Sequence, residues 1–438
     1  MKINKLKNRF RINFTFSVAY CKLPILVFYL SSLNLKAQDT NFVRQAINEL
    51  ASDNFHGRGY VNNGDAIAAD YLKAFFKQQK LKKFKRNYFQ YFSFPINTFP
   101  GKTILVNGTD SLKPGKDFIV AAGSAGIKGF YDIVRLDKEL LDDSLKVQAF
   151  KQTRFSDVFV VVDAQGMKSD KEKKIMKSLA SNPFNAKGII MLDDGKLMWS
   201  LSQKVAGYAL IEVKSNAWND STKQIYVNID QQFNPKHKTN NVIGFIKGTQ
   251  QPDSFIVFTA HYDHLGRMGQ DAVFNGANDN ASGIAMLMDL IRYYKKNLPK
   301  YSIAFMAFAG EEVGLLGSKY YINHPLFPHQ KIKCLLNLDL MGFGEDGITI
   351  VNSEDYPDDL ALFRSINEKE KLLPAINKRA NAKNSDHYPF TEKNVKAFFI
   401  YTQGNSKYYH DIYDRAETVP LSKYNEIFKL ITTYVATY

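Results

Sequence analysis

The stretch SFIVFTAHYDH, residues 254–264, decides the fold because it joins an apolar strand to a polar cluster. Its apolar first half is typical of a strand that is buried on both faces, as in α/β proteins. His261, Tyr262 and Asp263 follow where that strand ends. Open α/β sheets bind their ligands at this carboxyl end. The stretch therefore predicts an α/β fold with a site at one edge of the sheet.

Towards the carboxyl terminus, short apolar runs alternate with segments of helical spacing. This alternation is typical of a sheet covered by helices on both faces. We expect an α/β domain with a mixed, mostly parallel central sheet. The expected strands are 241–246, 255–259, 302–308, 334–339 and 396–401, and the expected helices are 281–296, 315–322 and 421–434.

Upstream of residue 235 the pattern is different. Two helices are expected over 42–50 and 66–79, and short strand-like runs separated by turns then predominate. This pattern predicts a smaller, strand-rich domain inserted into the main domain. The expected division of the chain is 1–37 as a signal peptide, 38–90 as the first part of the main domain, 91–235 as the insert and 236–438 as the rest of the main domain.

The amino-terminal segment has the three-part layout of a secretory signal. Residues 1–37 carry seven basic and no acidic residues, so the formal net charge falls from +15 to +8 without them. The apolar run Leu23–Leu30 follows the basic start, and cleavage is expected after Ala37. An uncleaved anchor is the alternative, but the run is short for a bilayer. We expect export to the periplasm or the medium, with no stable membrane insertion once the signal is removed.

Cysteine content restricts the kinds of site that the exported chain could carry. Of the two cysteines, Cys21 lies in the signal and only Cys334 remains. An internal disulfide or a zinc site built from several cysteines is therefore excluded, and a metal would be held mainly by histidine and carboxylate ligands. The basic cluster 80–86, KLKKFKR, is interpreted as solvated surface, and no nucleic-acid partner is expected.

Further polar residues follow the other predicted strands at equivalent positions. Each is weak alone, since a histidine or a carboxylate at a strand end usually has a structural role. Gathered in one crevice, imidazoles and carboxylates would repel one another or be desolvated at high cost unless a cation organised them. A metal centre is therefore the favoured interpretation. The candidate residues are His261, Asp279, Glu311, Glu312, Asp339 and His410.

Six motifs in a fixed order resemble the secreted two-zinc aminopeptidase and glutamate-carboxypeptidase family: HYDHLG, NGANDNASG, FAGEEVGLLGS, NLDLMG, SDHYPF and YYHDIYD. The resemblance covers about residues 240–438 and implies the phosphorylase/hydrolase-like zinc-exopeptidase fold. It also implies two zinc ions per chain. His261 and Asp339 would bind the first ion and Glu312 and His410 the second, with Asp279 bridging the two.

The same resemblance implies roles for the neighbouring residues. The zinc ions would share a water and lower its pKa towards about 7. Glu311 would act as general base and pass the proton to the leaving amine. Asp263 would hydrogen-bond the far nitrogen of His261. Asp386 and His387 of the SDH element would line the substrate pocket or its outer layer, or cap a helix. His264 is expected to be structural or to lie at the rim.

The insert is similar to the protease-associated domain that some members of this family carry. The similarity rests on its position and on the segments VFVVVDAQG and AKGIIMLDDG. It implies no catalytic residues and suggests a lid over the site. Zinc-dependent release of amino-terminal residues from peptides is the leading function. Carboxypeptidase, glutaminyl cyclase and non-catalytic receptor-like activities are the alternatives, and the oligomeric state is open.

Overall fold

The computed structural model describes residues 40–141, 143–163, 165–167 and 169–438. The predicted signal peptide, 1–37, and its cleavage site lie outside the described residues. Within the described ranges, no helix has the length and apolar character needed to cross a membrane.

Ten α-helices and eighteen strands make up the described fold. The helices are α1 (Thr40–Leu50), α2 (Gly64–Gln78), α3 (Lys138–Leu141), α4 (Ser144–Gln152), α5 (Asp170–Ala180), α6 (Gly283–Lys296), α7 (Leu316–Asn323), α8 (Pro357–Glu370), α9 (Tyr388–Thr391) and α10 (Tyr424–Ala436). The strands are β1 (Phe89–Thr98), β2 (Thr103–Asn107), β3 (Asp110–Leu112), β4 (Phe118–Val120), β5 (Ile127–Leu136), β6 (Phe159–Asp163), β7 (Gly188–Asp193), β8 (Ala209–Lys214), β9 (Gln224–Ile229), β10 (Gln232–Ile246), β11 (Gln251–His261), β12 (Gly266–Met268), β13 (Ala272–Phe274), β14 (Tyr301–Phe308), β15 (Ile332–Leu338), β16 (Gly347–Val351), β17 (Ile376–Arg379) and β18 (Ala397–Gln403).

The main sheet has eight strands in the order β1-β10-β14-β11-β15-β18-β16-β17. Its four strands β14, β11, β15 and β18 run parallel to one another, as do β16 and β17. The pairs β1–β10, β10–β14 and β16–β18 are antiparallel. The expected mixed α/β fold is thus confirmed.

Successive residues of the central strand β11 point into two different cores, as the period of two along a strand requires. Ile256 and Phe258 belong to a core that includes Leu287 of α6. Val257 belongs to a separate core that includes Tyr321 of α7. Helices therefore cover the sheet on both faces, and β11 is apolar over residues 255–258 because neither face meets water there.

A second sheet of eight strands has the order β3-β2-β9-β5-β6-β7-β8-β4. The strands β5 to β8 pair in parallel, and the other pairs are antiparallel. Phe159 and Val160, neighbours in β6, again belong to two separate cores. This sheet accounts for the strand-rich texture of the sequence.

Strand pairing corrects the expected boundaries of the insert. Residues 89–98 pair with residues 232–242 in the main sheet, so both ends of the predicted range 91–235 belong to the main domain. The two strands form an antiparallel stem that leads the chain out to the second sheet and back. We call residues 99–231 the insert from here on.

Candidate metal centre

Parallel strands bring the predicted site residues to one edge of the main sheet. His261 is the last residue of β11 and pairs with Phe308 at the end of β14, three residues before Glu311. Asp339 follows the last residue of β15, which is also a neighbour of β11. Because these strands run in the same direction, their carboxyl ends converge on a single crevice, as sequence reasoning predicted.

Asp279 lies at the centre of this crevice and faces two histidines. It sits in the irregular turn Ala277–Ser282 that runs into α6, and 3% of it is exposed. Its Oδ1 lies 3.3 Å from His261 Nε2, and its Oδ2 lies 3.3 Å from His410 Nε2. The two oxygens of the Asp279 carboxylate are therefore directed to two different histidines, each of which belongs to a separate group of candidate metal ligands, called a donor group below.

A second carboxylate completes each group. Asp339 Oδ1 lies 3.4 Å from His261 Nε2, and Glu312 Oε2 lies 3.2 Å from His410 Nε2. The first group is thus His261, Asp279 and Asp339, and the second is His410, Asp279 and Glu312. The structure brings together all five residues that sequence reasoning proposed, in the two sets that it proposed.

The nitrogen and oxygen atoms of the two groups are arranged more suitably for binding divalent metal ions than for bonding to one another. Zinc bonds to histidine nitrogen and carboxylate oxygen are about 2.0–2.2 Å long, so ligand atoms at the corners of a tetrahedron are about 3.3 Å apart. The histidine–carboxylate separations in both groups, 3.2–3.4 Å, match that spacing. Among the described residues, Asp339 Oδ1 and His410 Nε2 are buried without a hydrogen-bond partner. These two atoms are satisfied if they bind a cation.

The charge of the site also indicates a cation. Burial lowers the pKa of His410, but the adjacent Glu312 and Asp279 outweigh burial and raise it to about 11. Burial likewise lowers the pKa of His261, and Asp339 and Glu311 raise it well above its usual value. The carboxylates thus create a strongly negative pocket that favours a cation.

Glu311 is placed for proton transfer. It lines the same pocket as His261, Asp279 and Asp339, and its amide donates to Asp263 Oδ1 at 3.2 Å. Burial raises the pKa of Glu311 well above its usual range, and the charge of Glu312 adds to this effect, whereas His261 opposes it. A carboxylate with a raised pKa is a stronger base once it is ionised.

The expected hydrogen bond from His261 Nδ1 to the Asp263 carboxylate is not formed. The nearest carboxylate oxygen is 3.9 Å from His261 Nδ1, which instead lies 3.1 Å from the backbone carbonyl of Asp263. Since a carbonyl only accepts, Nδ1 carries the proton and Nε2 is left free to bind a metal. The carboxylate accepts hydrogen bonds from the Tyr60 hydroxyl and the Glu311 amide, so Asp263 orients Glu311 as well as His261.

Comparison with known proteins agrees with this geometry. The model of "Peptidase family M28" matches residues 241–435, which hold all five donor residues. These residues belong to peptidase family M28. We call residues 241–435 the M28 segment.

Relatives of the M28 segment include bacterial and fungal proteins. The chain is 27% identical to aminopeptidase YwaD of Bacillus subtilis over 248 residues, which are 54% of this chain and 52% of that protein. It is 37% identical to a probable zinc metalloprotease of Pyricularia oryzae over 107 residues, 24% of this chain and 21% of that protein. The chain thus spans about half the length of the first of these relatives and about a fifth of the second.

Solved structures share the whole architecture. A zinc aminopeptidase of Bacillus subtilis, BSAP, has a TM-score of 0.67 at 19% identity, covering 92% of this chain and 95% of that one. An M28 peptidase precursor of Shewanella amazonensis has a TM-score of 0.64 at 16% identity, covering 92% and 94%. At this identity the likeness establishes the fold.

The pocket beside the two donor groups has a volume of about 230 Å³. Its floor consists of metal-centre residues, and its walls combine aromatic rings with one guanidinium group. The lining residues are His261, Asp279, Glu311, Asp339, Leu340, Arg379, Asn384, Phe399, Tyr401 and Tyr409.

Asp386 and His387 of the M28 segment, which sequence reasoning placed at the substrate pocket or in its outer layer, do not line this pocket. Both side chains are fully buried. Asp386 accepts a hydrogen bond from Ser318 at 2.5 Å, and burial raises its pKa to about 7. Burial lowers the pKa of His387 to about 3, so the ring is neutral. Their position corresponds to an outer layer behind the pocket.

His264, expected to be structural or at the rim, is fully buried beside the second donor group. Its Nδ1 lies 2.6 Å from Glu312 Oε1, and its Nε2 has no partner among the described residues. With Asp279 and Glu312 it forms a cluster whose ligand atoms lie within 4.8 Å of one another. The rim position is therefore wrong, and His264 is an additional contact of Glu312.

Arg58 was missed by sequence reasoning. It is the last residue of the irregular 3-10 helix Asp53–Arg58, is fully buried, and donates five hydrogen bonds to backbone carbonyls. No pattern in the sequence indicates that a side chain will donate to backbone carbonyls in this way. The accepting carbonyls belong to Leu50, Tyr262, Asn275, Gly276 and Asp279, at 2.6–3.3 Å.

Asp414 holds the other side of the same turn. Its two carboxylate oxygens accept from the amides of Asn278 and Asp279 at 2.8 and 3.0 Å. Arg58 thus binds the carbonyls of the turn and Asp414 binds its amides. Together they fix the backbone from which the Asp279 carboxylate reaches both histidines. Asp414 lies within the motif YYHDIYD, but its role was not recognised from the sequence.

A chain of hydroxyl and amide groups supports Asp339. Thr259 donates to Asn337 at 2.6 Å, Asn337 donates to Ser385 at 2.7 Å, and Ser385 donates to Asp339 Oδ2 at 2.9 Å. With one oxygen held in this way, the other, Oδ1, faces His261. Partners behind a ligand fix its orientation and tune its affinity for metal.

Proposed function

We propose that this protein is an exported, zinc-dependent exopeptidase that removes amino-terminal residues from peptides, with two zinc ions per chain. The observation that carries the proposal is the division of the Asp279 carboxylate between His261 and His410. A carboxylate shared by two donor groups is the expected arrangement for paired ions about 3.5–4 Å apart. The names of the relatives YwaD and BSAP support aminopeptidase activity.

The residues that would hold the ions follow from the distances. His261 and Asp339 would bind one ion, His410 and Glu312 would bind the other, and Asp279 would contribute an oxygen to each. When bound, zinc polarises a carbonyl oxygen and lowers the pKa of water towards about 7.

Glu311 is the proposed proton carrier. It lines the pocket without belonging to either donor group, and its amide is fixed by Asp263. The carboxylate would accept a proton from the attacking water and deliver it to the leaving nitrogen of the scissile amide. Both transfers use one side chain because its raised pKa suits it to hold the proton between them.

Tyr409 is a second side chain with a role at the reacting atoms. It lines the pocket and stacks on His410, with ring centroids 3.9 Å apart. Burial raises the pKa of its hydroxyl, and Asp279 and Glu312 raise it further, so the group keeps its proton. A neutral phenol in this position would donate a hydrogen bond to the substrate oxygen as negative charge develops there.

Carboxypeptidase activity is the second candidate, and Arg379 favours it. This exposed arginine lines the pocket, and its guanidinium donates to the Tyr401 hydroxyl at 3.2 Å. Among the described residues, no carboxylate lies within ion-pair distance of it. Arginine binds carboxylates in a two-pronged geometry, so Arg379 is available for a carboxylate on the substrate.

A panel of substrates separates these functions. The panel contains aminoacyl p-nitroanilides, their N-acetylated forms, and N-blocked dipeptides with a free carboxyl terminus, each assayed with and without a chelator. We expect cleavage of the free-amine substrates alone, abolished by chelator and restored by zinc. Cleavage of the N-blocked dipeptides alone would establish the carboxypeptidase.

A non-catalytic binding protein would cleave nothing in this panel. Metal content provides an independent measurement, because the proposal requires about two zinc ions per purified chain. A protein that binds no metal and cleaves no substrate would belong to the receptor-like class. All five donor residues are present here, which favours the enzyme.

Export rests on residues 1–37. If this segment is a cleaved signal, the protein recovered from the periplasm or the medium begins at Gln38. Amino-terminal sequencing of that protein tests the proposal directly. Recovery in the cytoplasm with Met1 retained would contradict it.

A further inference from the structure

A short segment of the insert contacts the loop that carries His410. Residues 196–203, KLMWSLSQ, follow β7 and precede β8, and we call them the brace. The backbone amide of Trp199 donates to the carbonyl of His410 at 3.0 Å. A candidate metal ligand of the main domain is therefore hydrogen-bonded to the insert.

Lys196 strengthens this contact. Its Nζ lies 2.6 Å from the carbonyl oxygen of Lys407, 2.7 Å from that of Tyr409, and 3.3 Å from Asp411 Oδ2. Three oxygen atoms from one turn thus converge on a single ammonium group, which has three protons to donate. The contacts lie on both sides of His410 in the sequence.

His410 needs such support because of its backbone. Its φ is +59°, in the left-handed region, which a residue with a Cβ rarely adopts without help from its surroundings. Residues 404–407 before it form no regular structure, and Tyr408 to Asp411 form a turn. The main domain alone supplies little regular structure to hold this ligand in place.

Trp199 anchors the brace itself. Only 3% of it is exposed, and its indole stacks on Phe274 with centroids 4.8 Å apart. The indole nitrogen donates to the carbonyl of Val120 at 2.8 Å. Trp199 is therefore fixed to the insert on one side and, through Phe274, to the strand that leads into the Asp279 turn on the other.

The brace contacts one donor group selectively. Gln203 Nε2 donates to the carbonyl of Val313 at 3.0 Å, next to Glu312. The brace therefore touches the neighbours of both Glu312 and His410. Over the described ranges, no hydrogen bond or ion pair joins residues 196–203 to His261, to Asp339 or to their adjacent residues.

We propose that the brace positions His410 for metal binding, which makes the insert part of the second metal site. Lys196 is a positioning residue, since it acts through the backbone around His410 and touches no donor atom. The inference rests on the proposed two-metal function and adds to it. It predicts that loss of the Lys196 contacts weakens the ion held by Glu312 and His410, and spares the ion held by His261 and Asp339.

The test compares Lys196→Met with Lys204→Met in the full-length protein. Lys204 is an exposed lysine just beyond the brace, with no ion pair among the described residues. Metal-free protein is titrated with zinc by calorimetry and with cobalt by visible absorption. We expect Lys196→Met to weaken one of the two binding steps about 10- to 100-fold, to leave the other step unchanged, and to change the cobalt spectrum of the weakened step only.

Two further variants complete the experiment. Lys196→Arg keeps a cation and should restore the weakened step, whereas Lys204→Met should match the wild type. Asp411→Asn removes the charged partner, and because the two residues form one interaction, the double variant should be no weaker than Lys196→Met alone.

The outcomes separate the two proposals. If the wild type binds fewer than two ions and hydrolyses no aminoacyl amide, the proposed function is wrong. If the wild type binds two ions and Lys196→Met binds both as tightly as the wild type does, the proposed function is retained and the proposed role of the brace is wrong. Equal weakening of both binding steps in Lys196→Met would also contradict the proposed role of the brace, because it would indicate a general loss of structure.

Discussion

The main sheet and the insert sheet have the same number of strands but bury different kinds of side chain. Beside the main sheet, the buried set contains one arginine and a group of histidines and carboxylates around Asp279. Within the described side chains of residues 99–231, the buried polar residues are uncharged, such as Asn107 and Ser124. The main domain thus fully buries ionisable groups, whereas those described in the insert stay at least partly exposed.

This difference locates the chemistry. Burial of an unpaired charge is among the most costly events in folding, so a cluster of buried carboxylates and imidazoles persists only where something compensates for it. In the main domain, the buried guanidinium of Arg58 offsets part of the negative charge of the buried carboxylates, and metal ions bound by the donor groups would offset the rest. The described residues of the insert contain no such cluster, and its contribution to the site is a backbone contact and a lysine, supplied by the brace.

The largest effect is expected at the centre of the charged region, at Glu311. Glu311→Gln removes the proton acceptor while keeping the size of the side chain, and it should lower kcat about 10²- to 10⁴-fold. Two zinc ions per chain should remain, because Glu311 belongs to neither donor group. Turnover of an aminoacyl p-nitroanilide and metal content, measured on one sample, provide the test.

Glu312→Gln is the matched control, one residue away. This variant should lose the second metal ion as well as activity, because Glu312 Oε2 faces His410. Near-normal turnover in Glu311→Gln would contradict the assignment of the base. Equal metal loss in both variants would contradict the separation of their roles.

The next effect concerns the buried cation. Arg58→Met removes five hydrogen bonds to backbone carbonyls and leaves those carbonyls without partners, so the free energy of unfolding of the metal-free protein should fall by about 3 kcal/mol or more. Urea denaturation measures this change. Arg364→Met is the control, since Arg364 is exposed and donates to the single carbonyl of Ile376. A similar loss in both variants would mean that the Asp279 turn does not depend on Arg58.

A smaller and more selective effect is expected at Ser385. Ser385→Ala removes the donor that holds Asp339 Oδ2 and should weaken the ion at His261 and Asp339 about 10-fold or more. This is the opposite selectivity to that of Lys196→Met. Ser318→Ala is the control, because Ser318 donates to Asp386, which is no donor-group residue. Zinc titration of both variants checks the order of the effects.

The sequence was most informative where side chains follow strand ends. The strand expected over 302–308 is β14 (Tyr301–Phe308), and the helix that follows Asp279 ends at Lys296, as predicted. All five donor residues meet in one crevice, because parallel strands end together. The expected start of that helix at Ala281 is displaced to Gly283, since the turn Ala277–Ser282 has its own irregular backbone.

The sequence was least informative about contacts to the backbone. Arg58, Lys196 and Trp199 all donate to carbonyl oxygens, and any residue can supply a carbonyl, so such contacts leave no pattern. Strand β1 was missed for a related reason. Its residues 89–98 pair with residues 232–242 across the whole insert, and the texture of the neighbouring sequence led to the assignment of residues 91–98 to the insert.

The smallest effect is expected on the outside of the insert, where Phe130 is 70% exposed and contacts Tyr226 with ring centroids 4.9 Å apart. Phe130→Ser should change the free energy of unfolding by no more than about 0.5 kcal/mol and should leave both metal-binding steps and p-nitroanilide turnover unchanged. The comparison with Lys196→Met is then direct, because both residues belong to the insert and only one touches the His410 turn. If Phe130→Ser lowered turnover of long peptides while leaving the small amide unaffected, the outer face would take part in substrate access, as a lid does. If it altered a metal-binding step, the coupling between the two sheets would extend beyond the brace. The distinction between a main domain that buries the reacting ionisable groups and an insert that supports them only through the brace would then fail.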